Sequence, residues 1–255
     1  MRNRQDFLRP IAHRGLHGAP GRGAIENTMA AFDAAIARGY GVECDLRAGR
    51  AGLPLVFHDE ALDRLVAGAG PVSRLGMGDL DALAFRNAPA ERIPTFAALL
   101  VHVAGRVPLL VEIKSEWQPP DQAFLAETAR LASGYGGAIA LMSFDPAVMA
   151  VLRTLAPEVP RGIVSGNYLK GDAEDHWWED RLTRERAERL THLLESGPAA
   201  PQFYAYDVKA LPTPVTRYAR EVQGLALFTW TVRNDADSDT ARRFADAPIF
   251  EGFLA

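Results

Sequence analysis

Apolar runs of strand length alternate along this chain with segments of helical period. Runs at 8–13, 40–46, 53–58, 108–113, 138–143, 161–165, 203–208, 225–232 and 248–254 are rich in Val, Ile, Leu and aromatic residues and read as strands. Between them lie helical stretches with recognisable starts and stops. One opens near Asn27 and stops at Gly39, and one covers 95–104. Asp121 caps a third, and Asp145-Pro146 places an N-cap before a proline at the first helical position. A charged helix runs to Glu195, Thr213-Pro214 opens another that ends at Gly224, and 237–244 forms the last. Residues 60–92, with Gly68, Gly70 and Gly76, break the rhythm as an excursion.

Nearly continuous apolar strands that alternate with helices pair in parallel and are covered on both faces. About eight such strands predict an α/β fold of the (β/α)8, or TIM barrel, type. The competing architecture is a doubly wound open sheet. No Gly-x-Gly-x-x-Gly stands at a strand-to-helix turn to support it.

Size and composition narrow the picture. The 255 residues, 48% of them hydrophobic, suffice for one barrel domain over 1–255. A net charge of −4 with dispersed Lys and Arg excludes the clustered basic face of a nucleic-acid binder, while a small anionic ligand fits. The single cysteine, Cys44, excludes an intrachain disulfide and a thiolate metal cluster. No run approaches the ~18 apolar residues of a membrane span, and no signal-like core is present, so a cytoplasmic protein without stable membrane insertion is expected. Oligomeric state is not legible.

In a barrel, chemistry gathers where strands end at their C-terminal side. The polar residues there are His13 and Arg14, Glu43 and Asp45, His58, Glu112 and Lys114, Asp207 and Lys209, and Trp230. Glu43 and Asp45 are two apart on one strand and share a face, as do Glu112 and Lys114. Buried carboxylates facing one another need a cation or a shared proton between them. Three carboxylates without a thiolate suit a hard divalent cation, Mg²⁺ or Ca²⁺. Simple ion pairs, Glu43 with Arg14 and Glu112 with Lys114, are the competing reading. His13 and His58 titrate near neutrality and can act as acid and base. Arg14 and Lys114 can hold a phosphate. Trp177 and Trp178 form a candidate apolar lip beside Trp230. Ser143 lacks the Gly-x-Ser-x-Gly elbow of a serine hydrolase. Cys44 alternates with the two acids and points away from them, into packing.

These residues together resemble the glycerophosphodiester phosphodiesterase family. The resemblance rests on His13-Arg14-Gly15, Glu26-Asn27-Thr28, Glu43-x-Asp45, Pro54 to His58-Asp59 with Arg64, Ile93-Pro94-Thr95-Phe96, Glu112-Ile113-Lys114, Ser143-Phe144 and Trp230-Thr231-Val232. It is densest over 10–115 and thin over 160–222. It implies a TIM barrel with a small insertion after the second strand, fitting 59–92. It also implies a divalent cation on Glu43, Asp45 and Glu112, His13 and His58 as the acid/base pair, and Arg14 and Lys114 on the phosphate. The implied reaction hydrolyses small glycerophosphodiesters to glycerol 3-phosphate and an alcohol. Alternatives within the same superfamily are a lysophospholipase D-like or sugar-phosphodiester enzyme; a silent phosphate-ligand-binding barrel is a third. Two departures stand out. The turn after Asp45 reads Ala48-Gly-Arg-Ala-Gly52, and the chain closes on Phe250-Glu251-Gly252 where the family reads Asp-Gly-Ile-Ile-Thr-Asp.

Overall fold

The computed structural model describes residues 4–18, 23–170 and 178–255. Eight strands among them run parallel and close on themselves: β1 (Ile11–Ala12), β2 (Gly41–Ala48), β6 (Leu109–Ile113), β7 (Ile139–Ser143), β8 (Arg161–Ser165), β9 (Phe203–Asp207), β10 (Ala226–Val232) and β11 (Ala247–Phe250). The ring order is β1-β2-β6-β7-β8-β9-β10-β11, and β1 pairs with both β2 and β11, which makes the closure. The expected barrel is therefore present.

Alternate residues face opposite ways along each strand, and the two faces have different partners. Val42, Cys44 and Leu46, with Leu109, Val111 and Ile113, pack outward against the helices. Leu110, Ala140, Met142, Val164, Phe203, Ala205 and Phe228 fill the interior. Phe7, on an N-terminal 3-10 turn (Arg4–Phe7), belongs to that interior cluster, its ring 6.4 Å from Phe228. Each fully buried phenylalanine contributes roughly 1.5–3 kcal/mol. The inward rows continue upward into polar groups: Glu43 and Asp45 follow Gly41, Glu112 follows Leu110, Asp207 follows Ala205, and Trp230 follows Phe228. The same alternation that builds the core thus delivers the polar residues to one mouth.

The helices are α1 (Met29–Ile36), α2 (Phe96–Val103), α3 (Gln122–Gly134), α4 (Pro146–Leu155), α5 (Arg184–Thr191), α6 (Pro214–Arg217) and α7 (Asp235–Phe244). Asp121 and Asp145 cap α3 and α4 as their positions predict. The cap of α1 is Thr28, whose hydroxyl accepts from Ala31 N–H, and not Asn27. Asn27 is left free to turn its amide toward Asp45. The helix expected over 213–224 is the single α6 turn continued by a π-turn, Tyr218–Val222.

Strand β3 (Pro54–Val56) runs antiparallel to the end of β2, so the run at 53–58 forms a hairpin outside the ring. Beyond it, 3-10 turns and the small hairpin β4 (Ala84–Phe85) and β5 (Ala88–Arg92) enclose an apolar cluster of their own around Phe57, Leu62, Val66, Val72 and Phe85. That excursion sits between β2 and β6 in sequence and carries His58 to the mouth. The final strand stops at Phe250, short of Leu254, because Gly252 turns the backbone into the left-handed region at φ 83°. Among the described residues, no helix is long and apolar enough to cross a membrane.

Candidate active site

The turn after β1 builds the first half of the site. Gly15 N–H reaches the carbonyls of Ala12 and Glu43, each at 3.2 Å, at φ 79°, and an added Cβ would lie 2.8 Å from Ala31. Glycine is required at that point. The turn aims Arg14 N–H at Oε2 of Glu43, 2.8 Å away.

Glu43 and Asp45 on β2 meet Glu112 on β6, whose register partner is Asp45. All three are buried, and one carboxylate oxygen from each lies within 4.8 Å of the others. Lys114 Nζ bridges Glu112 Oε1 at 2.5 Å and Asp45 Oδ1 at 2.9 Å. Arg14 places Nη1 2.9 Å from Glu26 Oε1 and Nε 3.2 Å from Asp45 Oδ2. Asn27 donates to the same Asp45 oxygen at 2.8 Å. The pairing of Lys114 with Glu112 is thus real and extends to Asp45. The pairing of Arg14 with Glu43 is not through side chains: the guanidinium goes to Glu26 and Asp45, and Glu43 receives a backbone N–H.

This asymmetry divides the acids electrostatically. Burial, then the charges of Asp45 and Glu112, push the Glu43 carboxyl well above the usual carboxylate range. Burial also disfavours the Asp45 anion, but Lys114 and Arg14 outweigh it and hold Asp45 well below that range. Lys114 is affected by burial in the opposite sense, and Asp45 with Glu112 more than restores its charge. Oε1 of Glu43 is buried without a hydrogen-bond partner among the described residues. A buried, unpartnered carboxylate oxygen among three hard donors is what a divalent cation would satisfy.

Both histidines are anchored by carboxylates through Nδ1, which leaves Nε2 as the remaining nitrogen. His13 Nδ1 lies 2.6 Å from Glu251 Oε2, and its Nε2 lies 4.0 Å from Glu43 Oε2. Burial pushes His13 below its ordinary value, against the Glu251 hydrogen bond. The bond from His13 in turn holds Glu251 down at about 2, against burial. His58 Nδ1 lies 2.8 Å from Asp59 Oδ1, and Arg64 clamps Asp59 at 2.6 Å and Glu26 at 2.7 Å. Arg47 Nε holds the His58 carbonyl at 2.6 Å.

A cavity of about 650 Å³ opens over this assembly, lined by His13, Arg14, Glu43, His58, Glu112 and Lys114 and, across from them, by Phe144, Asp207 and Trp230. Eight of these sequence-selected residues therefore surround one space, with Asp45 directly beneath through its bonds to Arg14 and Lys114. Trp230 lines it as expected. Trp178 does not: it is buried in a satellite cluster with Trp117, Tyr168 and Leu190, its indole N–H donating to the Tyr168 carbonyl at 2.9 Å. Trp177 lies outside the described residues. Sequence reasoning missed Glu251, although it ends an apolar strand in the same manner as Glu112, and it gave Glu26 and Arg64 no role.

The whole arrangement can be compared with known proteins. The model of the glycerophosphoryl diester phosphodiesterase family matches residues 13–251. The chain belongs to this family of phosphoric diester hydrolases. A curated relative from Mycobacterium tuberculosis, "Probable glycerophosphodiester phosphodiesterase 1", is 28% identical over 264 residues, covering 94% of this chain and 87% of the relative. YhdW of Bacillus subtilis, a candidate glycerophosphodiester phosphodiesterase by name, is 31% identical over 166 residues, 61% of this chain and 65% of that protein. Among solved structures, an Oleispira antarctica phosphodiesterase in complex with the product sn-glycerol-3-phosphate superposes with a TM-score of 0.70, at 21% identity, covering 95% of this chain and 92% of that one. That similarity establishes the fold shared across the family.

Proposed function

We propose that this protein hydrolyses glycerophosphodiesters to glycerol 3-phosphate and an alcohol, with His13 and His58 exchanging protons with the reacting oxygens. The observation that carries the reading is the meeting of three carboxylates from β2 and β6 with two carboxylate-anchored histidines over one cavity.

Glu43, Asp45 and Glu112 would hold a divalent cation, Mg²⁺ or Ca²⁺, which when bound supplies electrostatic stabilisation of the charge gathering on phosphoryl and hydroxyl oxygens. Arg14 and Lys114 are the cations at hand for the phosphate oxygens. The glycerol hydroxyl next to the diester attacks phosphorus as one histidine accepts its proton through Nε2, and the other histidine protonates the departing alcohol. The cyclic phosphate that results is opened by water with the two roles exchanged. Glu251 and Asp59 keep Nδ1 of each ring occupied, so that proton traffic is confined to Nε2. With one buried thiol and no disulfide to form, a cytoplasmic location accords with this chemistry.

A lysophospholipid as the diester is a second reading, favoured by a neighbouring cavity of about 480 Å³ that shares Arg47, Glu60 and Lys114 with the first and is walled by Val72, Pro119, Phe124 and Leu125. Incubation with glycerophosphocholine or lysophosphatidylcholine, with added cation or with chelator, distinguishes these readings. Release of glycerol 3-phosphate from the former, lost on chelation, is expected. Turnover indifferent to chelator removes the cation, and turnover of no diester removes the reading.

A further inference from the structure

We infer that the wall formed by β9 and β10 is a subsite for a cationic head group, an alkylammonium carried by the departing alcohol, with Asp207 as its counter-charge. The inference rests on the hydrolase reading and deepens it by naming the substrate class.

The argument starts from ring geometry. In the closed order of eight strands, β9 is four strands from β2 in either direction, and β10 is likewise four strands from β6. Asp207, at the top of β9, therefore stands across the mouth from Glu43 and Asp45, and Trp230 stands across from Glu112 and Lys114. The two opposing residues are themselves register partners. A diester whose phosphate sits over β2 and β6 extends its other end toward this wall, through a cavity larger than glycerol phosphate needs.

The wall has the chemistry of a cation site. Trp230 is half-buried, fixed by its indole N–H on the Ala205 carbonyl at 3.1 Å, with the Phe144 ring 5.2 Å away at 80°. Aromatic surfaces of this kind attract ammonium groups. Of the acids lining the cavity, Glu43 and Glu112 belong to the cation cluster, and Glu60 is engaged by Arg181. Asp207 differs from them. Its Oδ1 accepts the Lys209 backbone N–H at 2.9 Å, and among the described residues no side-chain cation pairs with it. Burial raises its carboxyl, although the bond from Lys209 N–H and the charges of Lys170 and Lys209 pull the other way. Lys209 Nζ is paired with Asp237 at 2.5 Å and Arg233 with Glu251 at 3.5 Å, while Lys170 Nζ bonds the Lys209 carbonyl at 3.1 Å and acts on Asp207 without pairing with it. Among the described residues lining this wall, Asp207 is the charged side chain without an ion pair.

Asp207→Asn is the test, since the amide oxygen can keep the bond from Lys209 N–H while the charge is lost. Calorimetric titration with choline and with its neutral isostere 3,3-dimethylbutanol reads the subsite without turnover. The wild type should prefer choline, and the variant should lose that preference by roughly tenfold. In turnover, the ratio of kcat/KM for glycerophosphocholine over glycerophosphoglycerol should fall by about the same factor. Equal losses on both diesters, or no choline preference in the wild type, overturn the subsite. A charge-dependent choline preference in a protein that hydrolyses neither diester supports the subsite and overturns the hydrolase reading instead.

Discussion

Nδ1 of His13 lies 2.6 Å from Oε2 of Glu251, so a bond between side chains links the ends of the first and last strands of the barrel. Replacing Glu251 with Gln keeps an acceptor but removes the charge that favours a protonated ring. We expect kcat to fall about tenfold, short of the roughly 10²–10⁴-fold loss from removing His13. The same pair gives a pH signature. Glu251 titrates at about 2 in the fold against an ordinary 4.5. Its contribution to stability is therefore fully present above about 4.5 and is lost as pH falls toward 2. Urea unfolding of E251Q and wild type across pH should show a gap at pH 6 that narrows below about 4.5 and closes only as pH falls through about 2.

The two acids on β2 should respond oppositely to neutralisation. Glu43 is ionised only at a cost from burial and from its acidic neighbours, so E43Q should leave stability in chelator unchanged or improved. Asp45 neutralises Lys114 and Arg14, so D45N should destabilise by about 3 kcal/mol. Both variants should lose the rise in Tm that Mg²⁺ or Ca²⁺ gives the wild type. A cation-induced rise that survives E43Q would count against the proposed ligand set.

Arg64 touches neither histidine, yet it clamps Asp59 and Glu26, which orient His58 and Arg14. Arg64→Met should lower kcat roughly tenfold with a smaller effect on KM. Stability should change by less than about 1 kcal/mol, because Arg64 is half exposed. A loss confined to KM would show that Arg64 meets the substrate directly.

Gly15→Ala should destabilise by more than about 1 kcal/mol, since it combines a positive φ with a close approach to Ala31. It should also weaken cation binding, because the same turn aims Arg14 N–H at Glu43. Calorimetry with Ca²⁺ reads the second effect separately from the first.

Much of this was legible in the chain. Strand periodicity places Glu43 and Asp45 on one face, and the polar residues that end apolar runs converge on one mouth. Three things were not. Trp178 reads as part of an apolar lip over the site, but packing against Tyr168 buries it in a cluster of its own, and nothing in its neighbourhood of sequence signals that. Asn27 resembles a helix cap and was claimed instead by Asp45, a partner 18 residues away that only the fold brings near. Glu251 belongs to a closing strand that departs from the family's pattern, and its role depends on β11 lying against β1. Contacts made by ring closure leave no local periodicity to read.

Cys44 sits on β2 between the two acids, completely buried, its thiol pushed well up by burial and by the neighbouring carboxylates. Such a thiol is inert in the native state and becomes alkylable once β2 leaves the sheet. As the sole cysteine it is a natural footprint for opening of the strand that carries the proposed ligands. Iodoacetamide labelling should be negligible at rest, appear with denaturant, and slow further when Ca²⁺ or Mg²⁺ is added. Mass spectrometry can then time the opening of this one strand in the unaltered protein, without an engineered reporter.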